Sequence, residues 1–242
     1  MTATQHMHKL PYLVALLVCH HLAISRPNSA PLSVGEREGY KKSGDTVPGW
    51  ILGLGRDMYA SMLQFMTYSE IYVLLVRLYP RLSNKYLLDM LVPGGDIARV
   101  TTTPAFFVGL AFVAAGTVLR RECYRCLGSN FTFELAIRKD HTLYTEGPYG
   151  IVRHPSYTAA AMYVVGHGLC HFGVGSWWVE CGLWGTTVGK VVGSVFLLWH
   201  VIVVPMLMKR SRTEDEVLKK TFGEQWIRWA QKTPYAMFPY VF

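Results

Sequence analysis

The sequence predicts an all-α integral membrane protein. It should have about five transmembrane helices, a cytosolic catalytic loop and a helical C-terminal tail. Three observations lead there. Residues 157–179 and 191–208 contain no Asp, Glu, Lys or Arg. Only 17% of the 242 residues are charged, against about 25% in an ordinary soluble domain, while 51% are hydrophobic. The remaining charges gather between and after the apolar runs. A soluble helical protein would have to hide both uncharged stretches in one core, which disfavours that alternative.

The elements follow in chain order. Residues 10–24 are apolar behind Lys9 and resemble a signal h-region, but Ser25-Arg26-Pro27 is a poor cleavage site, so a short retained span is expected. Residues 25–57 are Pro- and Gly-rich loop. Met58–Val76 is the second span. It contains Glu70, costly in lipid unless paired, so an ion pair or hydrogen bond is expected there. Thr101-Thr102-Thr103-Pro104 caps and opens the third span, Ala105–Leu119, which is expected to extend back toward Ile97. Arg120, Arg121 and Arg125 close it. Residues 126–156 form a polar insertion. Tyr157–Val179 and Val191–Met208 are the fourth and fifth spans, separated by Gly182, Gly185 and Gly189. Val217, Leu218, Phe222, Trp226 and Trp229 recur at helical spacing in the tail, with Gly223 interrupting. The tail should therefore form an amphipathic helix or pair of helices against the membrane or the catalytic loop. Residues 1–99 are read as N-terminal spans and loops, and 100–242 as the core.

Basic residues in 120–156 and in the tail share one side in this count, which the positive-inside rule makes cytosolic. Arg77, Arg81 and Lys85 fall on the other side, against the same rule. The net charge of +8 points to anionic lipid headgroups rather than nucleic acid, because the basic residues flank apolar runs. Trp177, Trp178 and Trp184 lie near span ends, where indoles anchor at the interface. Cys123 and Cys126 form a lone C-x-x-C, read as plain cysteines rather than a metal site; five cysteines in all argue against a disulfide framework. His167 and His171 lack the intervening Glu of a zinc-binding H-E-x-x-H, so no metal is expected.

Three polar segments meet at the ends of the last two spans. They are His141-Thr142-Leu143-Tyr144, then Tyr149 with Arg153-His154-Pro155-Ser156-Tyr157, then Arg210 with Glu214 one helical turn later. An Arg at such a mouth can hold a carboxylate through its planar fork. A Glu and several rings can hold a cation or bind ribose and base. His141 and His154 can equally be structural. Pro155 should open the fourth helix and leave backbone N–H groups free for a ligand. No Gly-rich dinucleotide or phosphate loop is present.

Asn130-Phe131-Thr132, His141 through Tyr149, Arg153-His154-Pro155-Ser156-Tyr157 and the tail Arg210, Glu214, Leu218 and Phe222-Gly223-Glu224-Gln225-Trp226 resemble the isoprenylcysteine carboxyl methyltransferase family over roughly residues 100–242. The resemblance implies S-adenosylmethionine as methyl donor, S-adenosylhomocysteine as product, and prenylated protein C-termini or prenylcysteine as partners beside membrane lipids. It assigns His141, Thr142, Leu143, Tyr144, Tyr149, His154, Pro155, Ser156, Tyr157 and Glu214 to the cofactor and Arg210 to the prenylcysteine carboxylate, with Glu134 as a further polar contact. It also implies an endoplasmic reticulum membrane location. Phe133, Gly150, Ala159 and Asp215 depart from the family's usual residues. The competing readings are a phospholipid-amine N-methyltransferase, a sterol reductase, and a non-enzymatic scaffold or transporter. The first gives Arg210 less reason to be there, the second does not fit the short chain and tail pattern, and the third needs no polar groups gathered at one mouth.

Overall fold

Apolar runs between Pro, Gly and capping residues fold into helices. The computed structural model describes residues 9–25, 49–128, 131 and 142–241, and every regular element among them is helical. The helices are α1 (Lys9–Ile24), α2 (Gly49–Leu78), α3 (Lys85–Leu91), α4 (Pro104–Leu127), α5 (Pro155–Phe172), α6 (Trp177–Glu180), α7 (Thr187–Phe222) and α8 (Glu224–Lys232). A helix stands at each of the five expected spans: α1, α2, α4, α5 and α7.

Local chemistry sets the ends. Thr103 Oγ1 accepts from Phe106 N at 3.2 Å while Pro104 occupies the first helical position, where no N–H is needed, so α4 begins there. It does not extend to Ile97. The chain at Ile97–Arg99 is a separate 3₁₀ turn capped by Asp96, whose Oδ1 accepts from Ala98 N at 2.7 Å. The fourth span is also shorter than expected. α5 ends at Phe172, and Ser176 caps the separate α6. Gly182, at φ 82°, then turns the chain toward α7. α7 runs unbroken from the apolar stretch 191–208 into the charged tail as 36 residues, with Pro205 inside it. It stops where Gly223 takes φ +51°, and α8 follows.

Among the described residues two helices, α4 and α7, are long and apolar enough to cross a membrane. Only 6% of the apolar window of α7 is buried inside the protein. Val191, Val195, Leu198, Val201 and Ile202 are exposed. A soluble core helix would hide these side chains, so the exposed apolar surface belongs in lipid.

The chain forms two compact units. The first comprises Met1–His21, Asp57–Ala115 and Met162–Ile202. Lys9 and Glu70 pair inside it at 2.5 Å, both almost fully buried. Lys9 Nζ also donates to the carbonyls of Thr101 and Gly175, each at 2.8 Å. Glu70 Oε2 accepts from Trp177 N at 3.3 Å. The ion pair expected for Glu70 is therefore present, with α1 supplying the cation. Trp177 and Trp178 are core residues rather than interfacial anchors: both are buried, and Trp177 Nε1 donates to Leu91 O at 2.8 Å. Arg77 Nη1 donates to Ala98 O at 3.0 Å, so this basic residue is held by a local carbonyl. His167 and His171 stack with centroids 5.6 Å apart, and His171 Nε2 lies 3.4 Å from Thr67 Oγ1. Gly109 and Gly166 bring α4 and α5 into backbone contact, since a Cβ on Gly166 would stand 2.6 Å from the Gly109 carbonyl oxygen.

The second unit comprises Leu22–Arg56, Gly116–Ala161 and Val203–Phe242. It holds the polar segments singled out by sequence.

Candidate functional site

Pro155 starts α5, and the first turn presents Tyr157 to the polar end of α7. Tyr157 Oη donates to Glu214 Oε2 at 2.7 Å and accepts from Arg210 Nε at 3.0 Å. Arg210 and Glu214 are one turn apart on α7, so a single phenol bridges a cation and an anion on the same helical face. The His154 ring stacks on Tyr157 with centroids 5.6 Å apart and planes 14° from parallel. Its Nδ1 lies 3.5 Å from Glu214 Oε2 and its Nε2 3.0 Å from Asp215 Oδ1. Burial alone would strip the charge from His154, but the Glu214 and Asp215 carboxylates outweigh it and raise its pKa to about 9. Burial likewise works against both carboxylates, yet His154 holds each below its ordinary value, with Tyr157 and Arg210 adding to Glu214 and Arg153 to Asp215. At neutral pH the cluster is an imidazolium between two carboxylates.

A second group forms behind it. Cys123, Tyr149, Leu218 and Trp229 are buried together, with Leu143, Tyr144, Phe222 and Trp226 packed against them. Tyr144 meets Tyr149 edge-on at 5.7 Å. Trp229 Nε1 donates to Tyr149 O at 3.0 Å, so α8 packs on the 3₁₀ turn Gly147–Gly150, as expected for the tail lying against the loop. The tail pattern Leu218, Phe222, Trp226 and Trp229 is what closes this turn.

Of the residues assigned by resemblance, the structure brings His154, Tyr157, Glu214 and Arg210 into direct contact. It places Leu143, Tyr144 and Tyr149 in the adjacent apolar cluster. Ser156 Oγ lies 3.2 Å from Arg120 Nη1. Thr142 is exposed and Pro155 buried. His141 and Glu134 lie outside the described residues. The backbone donors beside Pro155 are not free as expected. Arg153 N donates to Tyr235 O at 2.9 Å and His154 N to Ala236 O at 2.7 Å, while Tyr157 N turns back to His154 O at 3.0 Å. The segment after α8 folds along the R-H-P-S-Y motif and takes the Arg153 and His154 donors.

Sequence names Arg153 and Asp215 near the site but assigns neither of them a role in it. Arg153 makes a fork on Asp215, with Nη2 to Oδ2 at 2.9 Å and Nε to Oδ1 at 3.2 Å. The available signal was adjacency: Arg153 precedes His154, and Asp215 follows Glu214. Neighbouring helical positions point in different directions, and sequence alone could not say that one loop would engage both. Glu214 uses Oε2 for both its contacts, and no described residue engages its Oε1.

This unit therefore presents an acceptor oxygen, aromatic faces and a guanidinium close together, on a helix that continues from an apolar stretch. Such groups can hold polar or charged parts of a ligand. The model of the family described as the isoprenylcysteine carboxyl methyltransferase family matches residues 108–174. Among similar proteins, protein-S-isoprenylcysteine O-methyltransferase B of Arabidopsis thaliana is 30% identical over 128 residues, 52% of this chain and 55% of that protein. Protein-S-isoprenylcysteine O-methyltransferase of Schizosaccharomyces pombe is 26% identical over 164 residues, 61% of each chain. The cobalt-zinc-cadmium resistance protein CzcN of Cupriavidus metallidurans is 29% identical over 132 residues, 54% of this chain and 48% of that one. The chain thus spans only about half to three fifths of the length of these relatives.

Proposed function

We propose that this chain, whose residues 108–174 match the isoprenylcysteine carboxyl methyltransferase family, transfers a methyl group from S-adenosylmethionine to the C-terminal carboxylate of a prenylated cysteine. The observation that carries the proposal is the Arg210–Tyr157–Glu214 bridge beside His154, on a helix whose preceding stretch is apolar and exposed. A scaffold or transporter has no need of that cluster, and an amine acceptor gives Arg210 nothing to hold.

The residues present fit the cofactor. Glu214 Oε1, engaged by no described residue, is an acceptor for hydroxyl or amine groups, and Tyr144, Tyr149 and Tyr157 offer ring faces and phenols. We assign these, with Thr142, Leu143, His154, Pro155, Ser156 and His141, to cofactor binding. When bound, S-adenosylmethionine supplies an electrophilic sulfonium methyl group. The acceptor carboxylate is ionised at neutral pH, so no general base is required. Arg210 is assigned to orient it. Tyr157 already shares the Arg210 guanidinium, which holds the fork in place. Glu214 and His154 hold the polar side, and the apolar cluster around Tyr149 and Trp229 keeps water away. Charge is lost as an anion and a sulfonium become neutral products, so a partly dry pocket favours reaction. Positioning of this kind contributes several kcal/mol or more.

The prenyl chain is proposed to reach the site from the membrane interior, contributing roughly 0.8 kcal/mol per buried methylene before costs. We propose five spans, at α1, α2, α4, α5 and α7, in the endoplasmic reticulum membrane with the tail cytosolic. In that reading residues 100–242 form the methyltransferase core.

The test is methyl transfer by purified protein from labelled S-adenosylmethionine to farnesyl-cysteine, geranylgeranyl-cysteine and phospholipid acceptors. Ester formed only on the prenylated cysteines is expected. Label appearing on phospholipid amine alone, or equally on cysteine analogues lacking the prenyl group, would overturn the proposal.

A further inference from the structure

We propose that Asp215 and Arg153 are positioning residues for His154, and that Arg153 ties the setting of that ring to the segment Thr233–Met237. The last step, from ring setting to cofactor affinity, rests on the function proposed above; the geometry does not.

Asp215 divides its oxygens between two partners. Oδ1 faces His154 Nε2 at 3.0 Å, and Oδ2 accepts from Arg153 Nη2 at 2.9 Å and Nε at 3.1 Å. Its side chain is 13% exposed, and protein donors engage both oxygens. Glu214, at 28%, spends one oxygen and keeps the other clear of described residues. Two adjacent carboxylates thus have different tasks: Glu214 can meet a ligand, whereas Asp215 holds the ring beside it.

Arg153 is the junction. While Nε and Nη2 grip Asp215, Nη1 donates to Thr233 O at 2.9 Å and Pro234 O at 2.5 Å. The backbone repeats the linkage through Tyr235 O and Ala236 O, and Thr158 Oγ1 donates to Met237 O at 2.6 Å. Thr233, Ala236 and Met237 are buried. A planar fork with five N–H groups can serve a carboxylate and two carbonyls at once; a lysine ammonium cannot hold that arrangement. The groups facing the His154 ring are Glu214 and Asp215 from α7 and Tyr157 from α5, with Arg153 reaching it through Asp215. Removing Asp215 frees one edge of the ring and leaves Arg153 without its anion.

The experiment uses the full chain in nanodiscs with histidine labelled in the imidazole ring. The His154 signals are identified by their loss in His154→Asn. His154 titration is followed by NMR and S-adenosylmethionine binding by calorimetry in the unmodified protein, Asp215→Asn, Asp215→Glu and Arg153→Lys. In Asp215→Asn the His154 pKa is expected to fall by about one unit and its downfield Nε2–H signal to disappear. Cofactor Kd is expected to rise roughly tenfold, with kcat at saturation changing far less. Asp215→Glu should restore both, and Arg153→Lys should shift both in the direction of Asp215→Asn. An unchanged His154 titration in Asp215→Asn overturns the positioning role. So does a shifted titration with unchanged affinity. If Asp215→Asn does not fold, the same two readings in Arg153→Lys decide. Failure of the unmodified protein to bind S-adenosylmethionine would instead count against the proposed function, while the titration still decides whether Asp215 holds the ring.

Discussion

Tyr157 and Glu214 meet at 2.7 Å, one from the first turn of α5 and the other from α7 just beyond its apolar stretch. The same phenol oxygen accepts from Arg210, so Tyr157 mediates between two opposite charges instead of letting them pair directly. In the function proposed above, Arg210 and Glu214 serve different ligands.

Tyr157→Phe should weaken cofactor binding. It removes a hydrogen bond to a charged carboxylate, a contact of about 1.5–3 kcal/mol, so Kd should rise roughly ten- to a hundredfold. Calorimetry gives the number directly, and an unchanged Kd would refute the role assigned to this bridge.

Arg210→Ala should separate binding from turnover. S-adenosylmethionine affinity is expected to stay within a few fold, while methyl transfer to prenylcysteine drops by roughly a hundredfold or more for loss of a charge-assisted fork. Lost cofactor affinity with normal turnover at saturation would reverse the assignment of Arg210.

The pH dependence of stability carries two signs. His154 is raised from its ordinary 6.5 to about 9, so its contribution is fully present below pH 6.5 and disappears as pH rises through 9. Glu214 and Asp215 are lowered, so theirs is present above their ordinary values of 4.5 and 3.8 and is lost as pH falls through their depressed values in the folded protein. Thermal unfolding in detergent should therefore show a plateau in the mildly acidic range, between 4.5 and 6.5, with losses on either side of it. In His154→Asn the alkaline loss should shrink; if it persists at full size, other groups set it.

Breaking the buried pair in the first unit should cost more than any surface change. Glu70→Gln leaves Lys9 charged without its partner, and removing one member of such a pair costs about 3–5 kcal/mol. Lys9→Met with Glu70→Leu should recover most of the loss. Melting curves of the single and double variants test this, and a double variant less stable than either single would contradict it.

Gly166→Ala should destabilise by about 1–3 kcal/mol, because the added methyl meets the Gly109 carbonyl, the Val113 backbone nitrogen and the stiff Val113 Cγ2 methyl. Gly55→Ala, where nothing lies within 4 Å, is the control and should not lower the melting temperature.

Much was readable before the structure because it depends on local rules. Apolar runs mark helices whatever surrounds them, which is why a helix stands at each of the five expected spans, although α2 begins at Gly49, inside the stretch expected to be loop. Thr103-Pro104 and Gly223 act through their own backbone chemistry, so they fix ends from sequence. The end of α5 was misplaced because Gly173–Ser176 breaks the helix inside an uncharged run, where charge gives no warning. Trp177 looked interfacial from its position, yet its indole N–H had a buried acceptor at Leu91 that no pattern announces.

Residue order was enough to establish helices that belong in lipid, the R-H-P-S-Y motif, and an Arg and a Glu on one face of α7. Those properties come from composition, spacing and the 3.6-residue turn. Folding had to choose the partners: Lys9 for Glu70, the phenol of Tyr157 between Arg210 and Glu214, Asp215 for Arg153 and His154, and the carbonyls after α8 for the donors beside Pro155. Those partners lie about fifty to about eighty residues apart in the chain. Hydrogen bonds and ion pairs act over a few ångströms, so only the folded path of the backbone decides which groups come within reach.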